Sequence, residues 1–373
     1  MNSEFVPFRF ERYASTWENT VEYNLSVGGV SPLSLRELVD DPAALEELLS
    51  TRIGYPQSNG PSELRQKVAS QYPGATEENV LITPGCSQAN FIATITLLKP
   101  GDEIAVMLPN YMQIWGIAQN FGFPSTSFYL KEELGWGIDP DELRRAVTDR
   151  TRAISVVNPN NPTGHILTSA EMDSIISAAE RVGAWLLCDE VYIGSERVTE
   201  AITPSFWGRY DRVVITSSLS KACALPGLRL GWIVAPAEMI QAMWARQDYI
   251  AISTSMLSNK LALYALRPEV YPRLFERTRA YIRRGYASFE HWFLEHGDLF
   301  SLIPPQATAT AFVRYHLQVN STELVDRLIQ ESTFVLPGDL FGIDRYLRIS
   351  FGLPEDYLNE GLKRLDTVIR NFV

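Results

Sequence analysis

The chain is 373 residues long, with 46% hydrophobic and 21% charged residues. That composition excludes a disordered, collagen-like or coiled-coil protein, and at about 150 residues per domain it predicts two domains or one large domain with a lobe. Its 33 basic against 44 acidic residues leave a net charge of −11, which argues against general binding of nucleic acid or anionic membrane.

Acidic residues interrupt the first fifteen positions, and no later run reaches the roughly 18 apolar residues of a membrane span, so neither export nor membrane insertion is expected. The segment 1–45, with its loop YNLSVGGVSPLS, is too short and irregular to fold alone and is expected to pack on the C-terminal lobe or on a partner subunit. From residue 46 to 267 a large α/β domain is expected. Seven apolar runs read as strands: 79–82, 103–108, 125–130, 153–158, 185–192, 212–218 and 229–235. Amphipathic stretches lie between most of them. In 169–183, Met172, Ile175, Ile176 and Ala179 recur at helical spacing behind a Ser/Thr start. Strands apolar on both faces and alternating with helices predict a mostly parallel, seven-stranded sheet with helices on both sides, with ligands bound at the carboxyl ends of its strands. Residues 268–373 read as a smaller α+β domain: a long basic amphipathic helix near 268–296, a strand at 310–316, a helix near 321–331, a turn at 336–339, a strand at 346–352 and a closing helix.

Cys86, Cys188 and Cys223 stand far apart with no CxxC pair, which fits a reducing compartment, and cytoplasmic residence is expected. His165, His291, His296 and His316 show no ligand spacing, so no metal is expected. Three runs carry chemistry. In SSLSKACALPGLRLGW (217–232), Lys221 follows a strand end among hydroxyls and precedes Arg229 by eight residues. A desolvated lysine near another cation has a lowered pKa and becomes a nucleophile toward aldehydes, and Ser218, Ser220 and Arg229 could hold a phosphate. NPNNPTG (158–164) reads equally as a turn. In CDEVY (188–192), Asp189 could cap a helix, sit in a surface loop, or pair with a protonated ring nitrogen.

In this order and at these separations, NPNNPTG, DEVY and SLSKxxxLPGLRLGW resemble the class I/II aminotransferases, which are fold-type I enzymes dependent on pyridoxal 5′-phosphate (PLP). The resemblance extends from GYPQSNGPSELR (54–65) to LRISFG (347–352). It implies that Lys221 carries PLP as an internal aldimine and moves the substrate proton, and that Asp189 pairs with the pyridine nitrogen. Asn161 and Tyr192 would bond the ring O3′, and Tyr111 would stack on the ring. The phosphate would be taken by the N–H groups of Gly85, Cys86 and Ser87 at a helix start, with Ser218, Ser220 and Arg229. Tyr55 would reach the phosphate of a neighbouring subunit, which implies a homodimer. Arg348 would grip the substrate α-carboxylate, with Gly28 and Asn161 beside it.

The N-terminal loop and GCSQAN depart from the commoner family wording, and both border the substrate. The resemblance implies transamination of an α-amino acid through pyridoxamine phosphate, and these departures keep a PLP-dependent lyase or oxidase of specialised natural-product metabolism as the alternative. A DNA-binding regulator is not expected at this charge. For the side-chain pocket, Trp17, Glu18 and Trp115 form a candidate aromatic wall with one carboxylate, suited to an extended, cationic side chain. Trp17 as a core staple and Glu18 as a solvated charge is the alternative.

Overall fold

Apart from 125–131, where only Phe128 and Leu130 are buried, the strand-like runs fold as strands buried on both faces. In this computed structural model, which describes residues 5–370, the large sheet has the spatial order 80–83, 231–234, 213–218, 185–189, 151–157, 103–108, 125–131, 137–138. The five strands from 213–218 to 125–131 are mutually parallel. Strand Gly231–Val234 is antiparallel to both of its neighbours, so Val80–Thr83 runs in the same direction as the parallel five. The carboxyl ends of six strands consequently open on one edge. The eighth strand, Gly137–Ile138, was not among the expected seven. A single 3-10 turn at Glu132–Leu134 and Gly135 at φ +65° fold the chain back onto Leu130 and Lys131.

Alternate residues feed two apolar layers, as a pleated sheet covered on both sides requires. Ile104, Val106 and Leu108 face a layer with Ile92, Ala93, Ile114 and Met243, from the helices Cys86–Leu97, Gln113–Phe121 and Ala237–Gln247. Ala105 and Met107 face the larger layer, which continues into the C-terminal lobe. Helix Ser169–Val182 starts on a reciprocal Thr168/Glu171 capping box and stops at Gly183 in the left-handed region. Its Met172, Ile175, Ile176 and Ala179 are buried.

The C-terminal lobe holds the long helix Tyr271–Leu294, the helices Ser321–Gln330 and Glu355–Arg370, and a four-stranded antiparallel sheet ordered 300–301, 310–315, 346–350, 336–337. Tyr346–Ser350 is an interior strand, so Arg348 is 3% exposed rather than a solvent-facing rung. The N-terminal segment lies on this lobe. Tyr23–Asn24 pairs in parallel with Thr333–Phe334, and the amide of Ser350 donates to the carbonyl of Leu25. Helix Arg9–Trp17 buries Phe10 and Ala14, one turn apart, with the Phe10 ring centroid 5.2 Å from that of Phe341.

Candidate active site

Many of the residues expected from the sequence lie at or just past the carboxyl ends of strands 80–83, 103–108, 151–157, 185–189 and 213–218. Strand Trp185–Asp189 stops at Asp189, short of the expected residue 192, because the next residues turn away and the Glu190 carboxylate accepts from Ser205 and the amide of Phe206. Asp189 is 6% exposed, and burial raises its carboxyl above the ordinary range. One oxygen accepts from Asn90 Nδ2 at 2.8 Å and from the Cys86 thiol at 3.6 Å, and the other accepts from the amide of Val191. The Thr216 hydroxyl donates to Asn90 Oδ1 at 2.6 Å, which turns the amide nitrogen of Asn90 toward Asp189. Neither Asn90 nor Thr216 was singled out from sequence. Asn90 lies one helical turn beyond Cys86, and that spacing was the available signal.

Lys221 follows strand Val213–Ser218. Burial first, and then the nearby Arg348 guanidinium, push its amine down to about 8. Burial also pushes the Tyr192 hydroxyl up to about 12. These side chains converge on one glycine. A Cβ placed on Gly28 would lie 2.9 Å from Tyr192 Oη, 3.1 Å from Lys221 Nζ and 3.6 Å from Arg348 Nη1.

Arg348 is oriented from two sides. Its Nη1 donates to Asn161 Oδ1 at 2.8 Å and its Nη2 to the carbonyl of Ser26, while its buried Nε has no partner among the described residues. The run 158–164 is therefore more than a surface turn. Asn158, Asn160, Asn161 and Thr163 are all buried, and Asn161 is aimed at the guanidinium.

A second feature lies beside this cluster. Helix Cys86–Leu97 begins at Gly85, φ +89°, with no side-chain cap and no acidic residue in its first turn. The N–H groups of Cys86 and Ser87 open that helix, and such a terminus favours an anion. A Cβ on Gly85 would sit 2.5 Å from Arg229 Nη2, so the guanidinium lies directly against the helix start. Ser218, whose hydroxyl accepts from the amide of Ser220 at 3.2 Å, ends strand 213–218, two places along the sheet from 80–83.

The expected side-chain wall is displaced. Trp17 packs on the main core, Glu18 is exposed past the end of its helix, and Trp115 joins the outer helical layer. A helix through Tyr111 would put Trp115 one turn away on the same face, but the helix starts at Gln113 after Met112 at φ +63°. The acid that reaches the site is Glu11, which accepts from the Tyr111 hydroxyl. The Tyr111 ring makes edge contacts with Phe8 and Phe10, both at 5.1 Å between centroids, and the Phe10 ring lies 5.4 Å from Arg348 Cζ. Tyr55 is 88% exposed. Among the described residues no group of three or more His, Cys, Asp or Glu forms a metal site, and no helix is long and apolar enough to cross a membrane.

Residues 24–365 match the family model for class I and II aminotransferases. The chain is 30% identical over 347 residues to a capreomycidine synthase of Streptomyces vinaceus, covering 91% of this chain and 87% of that protein. It is 26% identical to an aspartate aminotransferase of Sulfurisphaera tokodaii, with 88% and 85% covered, and 28% identical to an arginine–pyruvate transaminase of Pseudomonas aeruginosa, with 87% and 84% covered. The crystal structure of a PLP-dependent aminotransferase from Streptococcus suis 89-1591 superposes with a TM-score of 0.92 at 29% identity, covering 100% and 99% of the two chains. That of a PLP-dependent cyclase superposes with a TM-score of 0.89 at 25% identity, with the same coverage. A lysine of lowered pKa, a buried carboxylate and an anion-receptive helix start, set at the strand ends of a sheet shared with these enzymes, place the chain within the class I and II aminotransferases, and it is a PLP-dependent enzyme of that family.

Proposed function

We propose that Lys221 would hold PLP at its aldehyde, that Asp189 would serve its pyridine nitrogen, that Asn161 and Tyr192 would serve its ring oxygen, and that Tyr111 would serve the ring. Gly85, Cys86, Ser87, Ser218, Ser220 and Arg229 would hold its phosphate. The donor set fits the cofactor: the helix start at Cys86 lacks a side-chain cap, Arg229 packs on Gly85, and among the described residues the buried Asp189 carboxylate has no cationic partner within hydrogen-bond distance. When bound, PLP supplies an electron sink for the bonds at the substrate Cα.

The chain's residues supply the rest. Arg348 binds the substrate α-carboxylate in a geometry fixed by Asn161 and the Ser26 carbonyl, and its unpaired Nε is a further donor for an anion. Lys221, with an amine near half-neutral at pH 8, accepts the proton that leaves the substrate Cα. The absence of a Cβ at Gly28 leaves room for Cα between amine and guanidinium. That convergence on Gly28 is the observation that carries the reading.

The test is a panel of amino acids offered to the PLP-loaded protein with the keto-acid acceptor varied. Conversion that requires an acceptor supports transamination. A Lys221→Ala variant that keeps the visible band of lysine-bound PLP sinks the lysine assignment.

A second reading is favoured by the similarity to a synthase and a cyclase: a lyase or oxidase outcome at the same site. Turnover without any acceptor, with release of ammonia or a side-chain fragment, supports it.

We further propose a homodimer, in which Tyr55 reaches the partner's phosphate site. Its support is exposed apolar surface at Leu49, Ile53 and Tyr55, and at Tyr249, Ile252 and Leu257. A monomer at micromolar concentration in sedimentation sinks this part. Cytoplasmic residence is carried on the three free cysteines.

A further inference from the structure

Charges at the site can be matched one by one once the preceding reading is granted. The α-carboxylate answers Arg348, the phosphate answers Arg229 and the helix start, and the ring nitrogen answers Asp189. Glu11 is left over. Its hydrogen-bond partner is the Tyr111 hydroxyl, and no ion pair is formed by it among the described residues. Glu11 is exposed, and the ring of its partner Tyr111 is in mutual contact with those of Phe8 and Phe10. Its charge is felt at both Lys221 and Arg348, where it opposes the lowering of their pKa values. The adjacent Phe10 ring lies 5.4 Å from Arg348 Cζ, so helix Arg9–Trp17 borders the Arg348 side of the site.

We propose that Glu11 selects amino acids with a cationic side chain, a guanidinium or an ammonium group at the end of an aliphatic stem. The aromatic rings behind it offer the stem an apolar wall, and their faces suit a cation. A second carboxylate, as in aspartate or glutamate, would be brought up against a like charge and is disfavoured. A neutral side chain would leave Glu11 without a counter-charge. This inference rests on the reading of Arg348 as the α-carboxylate site.

The competing role for Glu11 is a latch that merely ties helix Arg9–Trp17 to Tyr111. Glu11→Gln separates the two, because the amide oxygen still accepts from the Tyr111 hydroxyl while the charge is lost. The probes are 5-guanidinopentanoate and its neutral isostere 5-ureidopentanoate, which lack the α-amine and do not react. Binding to the PLP-loaded protein is measured by calorimetry, so the readout is affinity and not turnover. The expected result is that the native protein prefers the guanidino acid by about tenfold, the size of one charge-assisted hydrogen bond. Glu11→Gln should abolish that preference and leave the ureido acid within twofold. Glu11→Asp should retain part of the preference. No preference in the native protein, a preference that survives Glu11→Gln, or an equal loss for both acids overturns the selection by Glu11. Arg348→Lys tells this failure from that of the underlying reading. If it weakens both acids, the α-carboxylate site stands and only the Glu11 inference falls. If neither acid binds the native protein, or Arg348→Lys changes nothing, both fall.

Discussion

Gly28→Ala adds one methyl group at the point where amine, phenol and guanidinium meet. Gly28 is not in the left-handed region, so the backbone accepts alanine there. The new Cβ would lie 2.9 Å from Tyr192 Oη and 3.1 Å from Lys221 Nζ. Optimal contact between non-bonded heavy atoms begins near ~3.5 Å, so each side chain must retreat by roughly half an ångström. A misplacement of about 1 Å at reacting groups can cost about a hundredfold, which puts the expected loss at roughly tenfold in the rate of the half-reaction with the best amino acid of the panel. Stability moves the other way. Alanine at a compatible glycine gains about 0.4–1 kcal/mol by restricting the unfolded chain. For a chain of 373 residues the unfolding entropy is about 0.8 kcal/mol per kelvin, so Tm should change by no more than about 1 °C. Thermal unfolding and stopped-flow spectroscopy of the PLP-loaded variant read the two effects separately. A half-reaction within twofold of the native rate, at unchanged Tm, would refute the convergence on Gly28. A fall in Tm of several degrees would locate the effect in the backbone instead.

Three further outcomes are expected. The rate at which protein stripped of cofactor captures PLP should rise with pH around a midpoint near 8, since burial and Arg348 push the Lys221 amine down to about 8 and the neutral amine is the nucleophile; Arg348→Met should move that midpoint upward, and a native midpoint near 10 would count against the desolvated lysine. Asn90→Ala removes the 2.8 Å bond to Asp189 and the partner of the Thr216 hydroxyl. It should cost about 1–3 kcal/mol of stability in urea unfolding and weaken PLP in an equilibrium titration, whereas a variant with native values for both would show that Asn90 does not hold Asp189. Glu190 is buried with Oε2 unpaired, and burial raises its carboxyl to about 8 from 4.5. A raised acid contributes stability that is fully present below the unfolded value and lost as pH rises through the folded one, so Glu190→Gln should lessen the decline in stability between pH 6 and pH 9 by roughly 3 kcal/mol, and a decline as steep as that of the native protein would overturn that assignment.

The interior of the large sheet was legible because its strands are buried on both faces, which leaves an apolar run that few alternatives explain. Strand ends were less so, and they erred where the chain turns toward the site. Residues 190–192 look as strand-like as 185–189, yet the buried Glu190 carboxylate is captured by Ser205 and Phe206, and that capture is a tertiary event. The sheet register explains Arg348 in the same way. Its burial depends on Phe312 and Leu336 pairing on either side of it, from segments that the sequence separates. The role expected of Tyr55 requires a second subunit, so its 88% exposure in one chain carries no sign of that role.

The contrast between Glu18 and Glu11 shows what residue type and distance along the chain leave undetermined. Both are acids on the N-terminal segment, and Glu18 is the nearer to the Gly28 loop. Proximity in sequence favoured it. Orientation decides otherwise, because the helix ends at Trp17 and leaves Glu18 beyond its C-terminus, where its carbonyl accepts from Asn24, whereas the Glu11 carboxylate, also exposed, accepts from the Tyr111 hydroxyl. Phe10 and Ala14, one turn apart, bury one face of the helix, and Phe10 packs against Phe341 beside Arg348. Whatever neighbours Phe10 at the rim of that face is carried to the mouth of the site, and that residue is Glu11. The amphipathic phase of the helix was the signal in the sequence that pointed to it: once Phe10 and Ala14 are taken as the inward stripe, Glu11 borders the stripe within the first turn, whereas Glu18 lies a helix length away.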